Sequence, residues 1–398
     1  MEQGVEAKGF ASRSEGIQPS LFGGMVLAGI ATTMLGPLLP RLAPHWQIGD
    51  ASAGLLFTAL FLASVVTGAL VGPLAQRFGH RRLIRGGLVL GGAGVAMLAL
   101  SSWPQAIGAM AMIGAGLGLC VPAANLGVTG PRAVMLVNFA WSIGAVSGPW
   151  LIVSFPDGFL WSLSAAMACA AAMTVRPLTQ AAAATRGAKA TMSTATVLTA
   201  IFVFAYVGVE SSLDGWLSSY ASRNSDARSL PAALPSVFWV GILTGRLLAA
   251  QALRHLVPAS LLGGCLVLAF AGTCLLHEAS RPWLLLAATA LTGLGIAPVF
   301  PLAVASYSDV AKTEKAAGLI FAAGGLGGAS VPALVGAVSE RSGELHVAMA
   351  IPPALIVVMI LLWKTSSLGQ RPQQQDAPAD AGRPMASLQG GADETRGL

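Results

Sequence analysis

Two acids stand in the stretch YVGVESSLDGWLSSY, residues 206–220: Glu210 and Asp214. Everything around them is apolar or small. Four residues apart, they fall on one face of a helix. An ionised carboxylate in hydrocarbon costs at least about 2.5–3.5 kcal/mol. A carboxyl held away from water therefore keeps its proton, and the same group exposed to water releases it. A side chain that alternates between those two settings carries a proton across a barrier. Two acids within one helical turn also titrate as a pair. Proton coupling is the chemistry these residues suit. The plainer alternative is a protonated Glu210 bonded to a neighbouring helix, and an Asp214 that already sits at a water-filled mouth.

Other polar groups lie near enough in type and position to serve a site. Tyr206 precedes Glu210 by one turn and suits a cavity wall. Trp216 and Tyr220 share a face; they suit either stacking against a sugar or anchoring at the membrane interface. Gly208, Ser211, Ser212 and Gly215 permit close helix contact or a local break. Asn125 and Asn138 each offer a donor and an acceptor to solute hydroxyls, or to another helix. Arg246 stands near the end of its apolar run, where a long side chain can reach the membrane surface.

The elements that must hold these residues are membrane helices. The chain has 398 residues, is 55% hydrophobic and is only 10% charged, against about 25% charged in soluble proteins. Mean hydropathy is +0.71. Apolar runs of spanning length recur, and alternating barrel patterning is absent. The expected class is all-α, with twelve spans near 20–40, 51–74, 83–101, 104–127, 131–154, 157–175, 196–220, 231–253, 257–276, 282–305, 315–338 and 345–364. Counted from Thr196, Glu210 lies about 21 Å along a helix of about 37 Å, just beyond its centre.

These spans predict a short cytoplasmic segment (1–19), a first six-helix half (20–175), a central cytoplasmic loop (176–194), a second half (195–364) and a disordered tail (365–398). Of the 23 Lys and Arg, 18 fall on the side that holds both termini and 5 on the other. That bias places both termini in the cytoplasm of a multi-pass protein of the cell membrane. The net charge of +6 follows from this asymmetry and implies no nucleic acid. Glycine landmarks repeat in order: Gly29 and Gly36 with Gly208 and Gly215; Gly68 and Gly72 with Gly241 and Gly245; Gly116 with Gly293. The shared order points to two homologous halves, an architecture that binds its solute between them near the midplane. The four cysteines and five histidines lack metal-ligand spacing. No phosphate-binding loop is present. Neither an enzyme nor a cofactor is implied; a proton gradient is the expected driving force, and the expected state is a monomer in the bilayer.

The stretch GPLAQRFGHRR, residues 72–82, resembles the loop between spans 2 and 3 of the major facilitator superfamily. Gly72, Leu74, Ala75, Arg77, Gly79, Arg81 and Arg82 match its pattern, and Gln76 stands where the pattern has an acid. The resemblance implies a conformational-switch role for this loop. Read by itself, Gly72 suits close helix approach, Gly79 a tight turn, and the arginines anionic headgroups. In span 7, Tyr206, Gly208, Glu210, Gly215, Trp216 and Leu217 resemble the branch of sugar–proton symporters that includes the fucose permeases. NFAWSIGAVSGP in span 5 and GLGIAPVFP in span 10 fit the same branch, with Asn138 where a histidine is common. Acids that some members carry in spans 1 and 4 are replaced here by Thr32, Thr33 and Asn125. The resemblance implies a secondary transporter that moves a small polar solute, a sugar among the candidates, by alternating access with proton symport. A proton-coupled exporter of drugs or metabolites, and a receptor or scaffold that keeps the fold without transport, are the other readings.

Overall fold

The computed structural model describes residues 18–174, 193–227, 229–308 and 314–365. Most of the predicted N-terminal segment, central loop and tail lie outside the described residues. Sixteen helices follow one another: α1 (Pro19–Thr33), α2 (Leu35–Trp46), α3 (Asp50–Ala69), α4 (Val71–Phe78), α5 (His80–Leu100), α6 (Trp103–Gly127), α7 (Pro131–Ser154), α8 (Phe159–Met173), α9 (Thr194–Asn224), α10 (Leu230–Ala252), α11 (Pro258–Glu278), α12 (Pro282–Ile296), α13 (Val299–Ser308), α14 (Glu314–Ser342), α15 (Leu345–Ala348) and α16 (Ile351–Thr365). Ten helical stretches are long and apolar enough to span a bilayer, α1 with α2 makes an eleventh, and the 15-residue apolar α8 occupies the sixth position. Twelve crossings put Pro19 and Thr365 on one side, called here the near face.

The breaks differ from the expected ones. Span 7 is unbroken: α9 runs 31 residues, capped by Ser193, whose Oγ accepts from the Thr196 N–H at 3.1 Å. It contains no proline. Gly208 faces Val331, and Gly215 faces the Phe57 ring, so the small residues serve contact. Span 1 is the bent one, by 46° after Thr33. Pro37 explains it: proline supplies no N–H to the Thr33 carbonyl and crowds it.

The packing repeats. In the first half α1 lies on α7 and α8, α3 on α6, and α5 on α6 and α8; in the second α9 lies on α14 and α16, α10 on α12, and α11 on α12 and α16. Lipid supplies little drive between apolar helices, so close backbone approach must hold them. A methyl group on Gly29 would collide with the Trp141 carbonyl, and one on Gly144 with the Val26 carbonyl. The two glycines seat α1 and α7 on each other.

The halves meet along α3 with α14, α7 with α10, and α2 with α9. Several hydrogen bonds between the halves lie toward the far face. Thr58 Oγ1 donates to the Ala329 carbonyl at 2.6 Å, and Ser236 Oγ to the Val146 carbonyl at 2.9 Å. At the far rim Arg223 grips Asp50 through two bonds of 2.7 and 2.6 Å. Ser339 Oγ donates to the same carboxylate, and the Ala51 N–H donates to Glu340 at 2.8 Å. This structure is closed at its far end.

A forked Arg–carboxylate pair is stronger than a single ionic contact, but Arg223 is nearly half exposed, which tempers its worth. Asp50→Asn and Arg223→Gln are therefore expected to raise the open-to-closed ratio at the far face by about tenfold. Labelling of a cysteine introduced at Ser219, in the vestibule beneath the rim, reads this directly; an unchanged labelling rate in both variants would show that the pair holds nothing shut.

Candidate functional site

Glu210 lies near the midpoint of α9, with 16 residues before it and 14 after it in the helix. It is more central than the sequence suggested because α9 extends past both predicted ends. α10 runs antiparallel beside it. Trp239 Nε1 donates to Asp214 Oδ1 at 2.7 Å, and this bond fixes the register. Moving two turns toward the near face passes Glu210 and then Tyr206 on α9, and arrives at Arg246 on α10. Arg246 thus does not simply reach for the membrane surface. Its guanidinium acts electrostatically on both Glu210 and Tyr206. The antiparallel register supplies Glu210 with a cationic neighbour.

The partners stand close without touching. Among the described residues, ion pairs within 4.0 Å are Arg41–Asp157 and Arg223–Asp50, and Glu210–Arg246 is not one of them. The Tyr206 hydroxyl is set between the two, yet it makes no hydrogen bond of normal geometry. Tyr206 is 2% exposed. Its ring stacks on Phe300 with centroids 5.5 Å apart, and Phe300 meets Phe321 edge-on at 6.2 Å.

The two acids therefore part company. Asp214 has a bonded partner and sits on the seam between halves, where the backbone carbonyl of Asp214 presses on Gly36 of α2. The indole that Asp214 holds rests edge-on against Trp141 of α7, with centroids 5.2 Å apart. Asp214 thereby positions a contact between the halves. Glu210 lies instead within reach of Tyr206 and Arg246.

Trp141 and Thr32 line a cavity of about 240 Å³ in the first half, together with Leu60, Phe61, Ser64 and Pro122. Thr32 Oγ1 donates to the Ala28 carbonyl at 2.8 Å. Thr33 is fully buried, bonded to the Gly29 carbonyl at 3.2 Å, and faces Gly148; it packs α1 on α7 and is not part of this cavity. Trp216, at 1% exposure, is neither a platform nor an interfacial anchor: its Nε1 donates to the Pro332 carbonyl at 3.0 Å and its ring meets Phe57. Tyr220 is likewise buried, with its hydroxyl toward the Leu276 and His277 carbonyls. A larger groove of about 640 Å³, lined by Leu55, Phe204, Val331, Leu334 and other mainly apolar side chains, contains neither acid.

Asn125 and Asn138 are brought together. Asn138 Nδ2 donates to Asn125 Oδ1 at 2.7 Å, across α7 and α6, and each amide also donates to its own helix. In the loop, Gly79 has φ +78° and ends α4, as a tight turn requires. Gly72 has open space around it rather than a closely packed helix. Gln76 and Arg82 are exposed, Arg77 lies over the Phe78 ring at 5.2 Å, and Arg81 follows in the first turn of α5. α4 packs on α3, α5 and α6 of its own half.

Residues 21–256, more than half of the chain, match the sequence profile of the Major Facilitator Superfamily. The chain belongs to that superfamily. Over 167 residues it is 29% identical to the glucose/mannose transporter GlcP of Bacillus subtilis, a match that spans 40% of each protein. A solved bacterial homologue of the lysosomal transporter Spinster, in an inward-facing occupied form, superposes with a TM-score of 0.71 at 13% identity, covering 88% of this chain and 98% of that one. The fucose:proton symporter FucP of E. coli superposes with a TM-score of 0.57 at 18% identity, over 87% of this chain and 97% of that one. The solved structures give the fold, and membership of the superfamily makes this a multi-pass membrane transporter.

The amide pair yields a prediction. Removing either amide leaves its partner without the 2.7 Å bond, so Asn125→Ala and Asn138→Ala are expected to weaken solute binding alike. The double variant is expected to lose little more than one single variant, because bonded neighbours are not additive. Affinities of all three variants check this, and additive losses would mean that the amides act separately.

Proposed function

We propose that this protein is a proton-coupled symporter of a small polar solute, with sugars the first class to test, working by alternating access as a monomer in the cell's inner membrane. The observation that carries this reading is Glu210. It is an acid at the middle of the bilayer, half-buried between a buried phenol and a cation that it does not touch. Such a group gains or loses a proton as its surroundings are hydrated or sealed, and only a difference in affinity between the two rocking states can drive transport. The superfamily fold and the partial likeness to a glucose/mannose transporter support the solute class. The excess of Lys and Arg on the near face supports cytoplasmic termini. The proton gradient is the driving force, and no cofactor takes part.

In this reading the near face is the cytoplasmic one, and the closed far rim makes this the form that faces inward. The Asp50–Arg223 grip shuts the outer mouth. Asn125, Asn138 and Thr32 contribute polar groups from the first half, while Tyr206 and Glu210 contribute from the second. In the loop at residues 72–82, α4 packs on α3, α5 and α6 of its own half, and the loop's part is that of a conformational switch.

Glu210→Gln tests the proposal. It keeps the shape of the side chain and removes its titration. In proteoliposomes the variant is expected to lose solute accumulation driven by a pH gradient, while exchange of labelled for unlabelled solute persists. Accumulation at the wild-type level in Glu210→Gln would falsify the proton role.

A further inference from the structure

Trp239 is where the second half touches a wall of the first-half cavity. Its side chain is buried, and a buried indole N–H needs an acceptor. Asp214 Oδ1 supplies one at 2.7 Å from the adjacent helix α9. Held there, the indole meets Trp141 of α7 with centroids 5.2 Å apart and ring planes at 78°. Trp141 in turn lines the cavity of about 240 Å³, together with Thr32, Ser64 and Phe61. Nearer the far face, Ser236 of α10 donates to the Val146 carbonyl of α7 at 2.9 Å, so α10 and α7 are tied at two levels. We propose that Asp214 is a positioning residue: acting as a hydrogen-bond acceptor and not as a proton carrier, it holds Trp239 in place, so that the second half buttresses the Trp141 wall of the cavity.

The role needs a lone pair and no charge. An ionised carboxylate accepts through both oxygens, and a protonated carboxyl keeps a carbonyl oxygen that accepts as before. The bond to Trp239 therefore survives either protonation state. A proton carrier needs the reverse, a group whose surroundings differ between its two forms. Glu210 is the titratable neighbour that acts electrostatically on Asp214, and the solute arm of the test below rests on the proton-coupled reading of Glu210. The two acids then divide the work: Glu210 takes up the proton, and Asp214 sets the geometry of the solute's cavity. The contacts run from Asp214 on α9 through Trp239 on α10 to Trp141 on α7, and so cross from one half to the other. When the halves part along α7 and α10, Trp141 loses its support. The cavity wall is firm in this form and loose in the opposite one. That is a difference in solute affinity between two states, which is what alternation needs.

Three substitutions in the full-length protein separate the two roles. Asp214→Asn keeps the acceptor and removes the titration. Asp214→Leu removes both. Trp239→Phe removes the donor and keeps a ring, and it carries the comparison if Asp214→Leu does not fold. Labelling of a cysteine introduced at Ser219, in the vestibule, needs no solute. Asp214→Leu and Trp239→Phe are expected to raise its rate several-fold, and Asp214→Asn to leave it unchanged. The double variant of Asp214→Leu with Trp239→Phe is expected to match one single variant, because both break the same bond. In proteoliposomes with glucose as the probe, Asp214→Asn is expected to keep pH-driven accumulation and its pH profile. Asp214→Leu is expected to raise the half-saturating glucose concentration about tenfold. The inference is overturned if Asp214→Leu and Trp239→Phe label like the wild type, if Asp214→Asn labels as they do, if the double variant adds their effects, or if Asp214→Asn loses accumulation driven by a pH gradient. Wild-type accumulation in Glu210→Gln overturns the proton-coupled reading alone, and a wild type that takes up no glucose removes that sugar from it. In either case the labelling rates still decide the part of Asp214.

Discussion

A lone charge at the middle of a bilayer is among the most costly features a protein can carry. In this protein the cost is offset by a cation one helix away, held near the acid but short of contact. That separation matters. A tight buried ion pair would fix α9 to α10 and titrate only with difficulty, since breaking such a pair costs several kcal/mol. A wholly unpaired acid would stay protonated and inert. Glu210 and Arg246 occupy the ground between.

The rest of the architecture keeps that balance in place. α9 has no proline and runs straight through the membrane, so its polar residues hold fixed heights. The glycine contacts between α1 and α7 bring backbones together where apolar side chains have little reason to associate in lipid. The seam between halves uses glycine in the same way, with Gly54 of α3 against Ala333, Gly215 against the Phe57 ring and Gly336 against the Asp50 carbonyl. It adds a few directed bonds toward one face: Asp50 with Arg223 and Ser339, Thr58 with the Ala329 carbonyl, Ser236 with the Val146 carbonyl.

Much of this was legible in the sequence, and the reasons are physical. Apolar runs of spanning length, twelve crossings and a basic side follow from bilayer thickness and charge alone. Glu210 was evident because an acid in such a run has few ordinary explanations. Arg246 was missed as its partner because depth read from one helix says nothing of the register with the next; the Trp239–Asp214 bond sets that register, and it joins residues 25 positions apart. The Asn125–Asn138 pair was within reach, since both amides were noted, but their contact depends on how α6 and α7 lean together. Thr33, Trp216 and Tyr220 misled for one reason. A polar or amphipathic residue in a membrane helix can face a cavity, the interface or a neighbour, and only the packing chooses.

The bend at Met34 divides the labour within span 1. α1 is seated on α7 of its own half through Gly29 and Gly144, whereas α2 lies against α9 of the other half, with Gly36 under the Asp214 carbonyl. Pro37 has cut the backbone ladder between these two surfaces. One segment is thus anchored and the other is a shared flap, and the flap is only the 12 residues Leu35–Trp46 long. Parting the bundles along this span has to peel a short arm from its neighbour while the anchored stem keeps its glycine seat, so the work falls on three helical turns instead of a whole crossing.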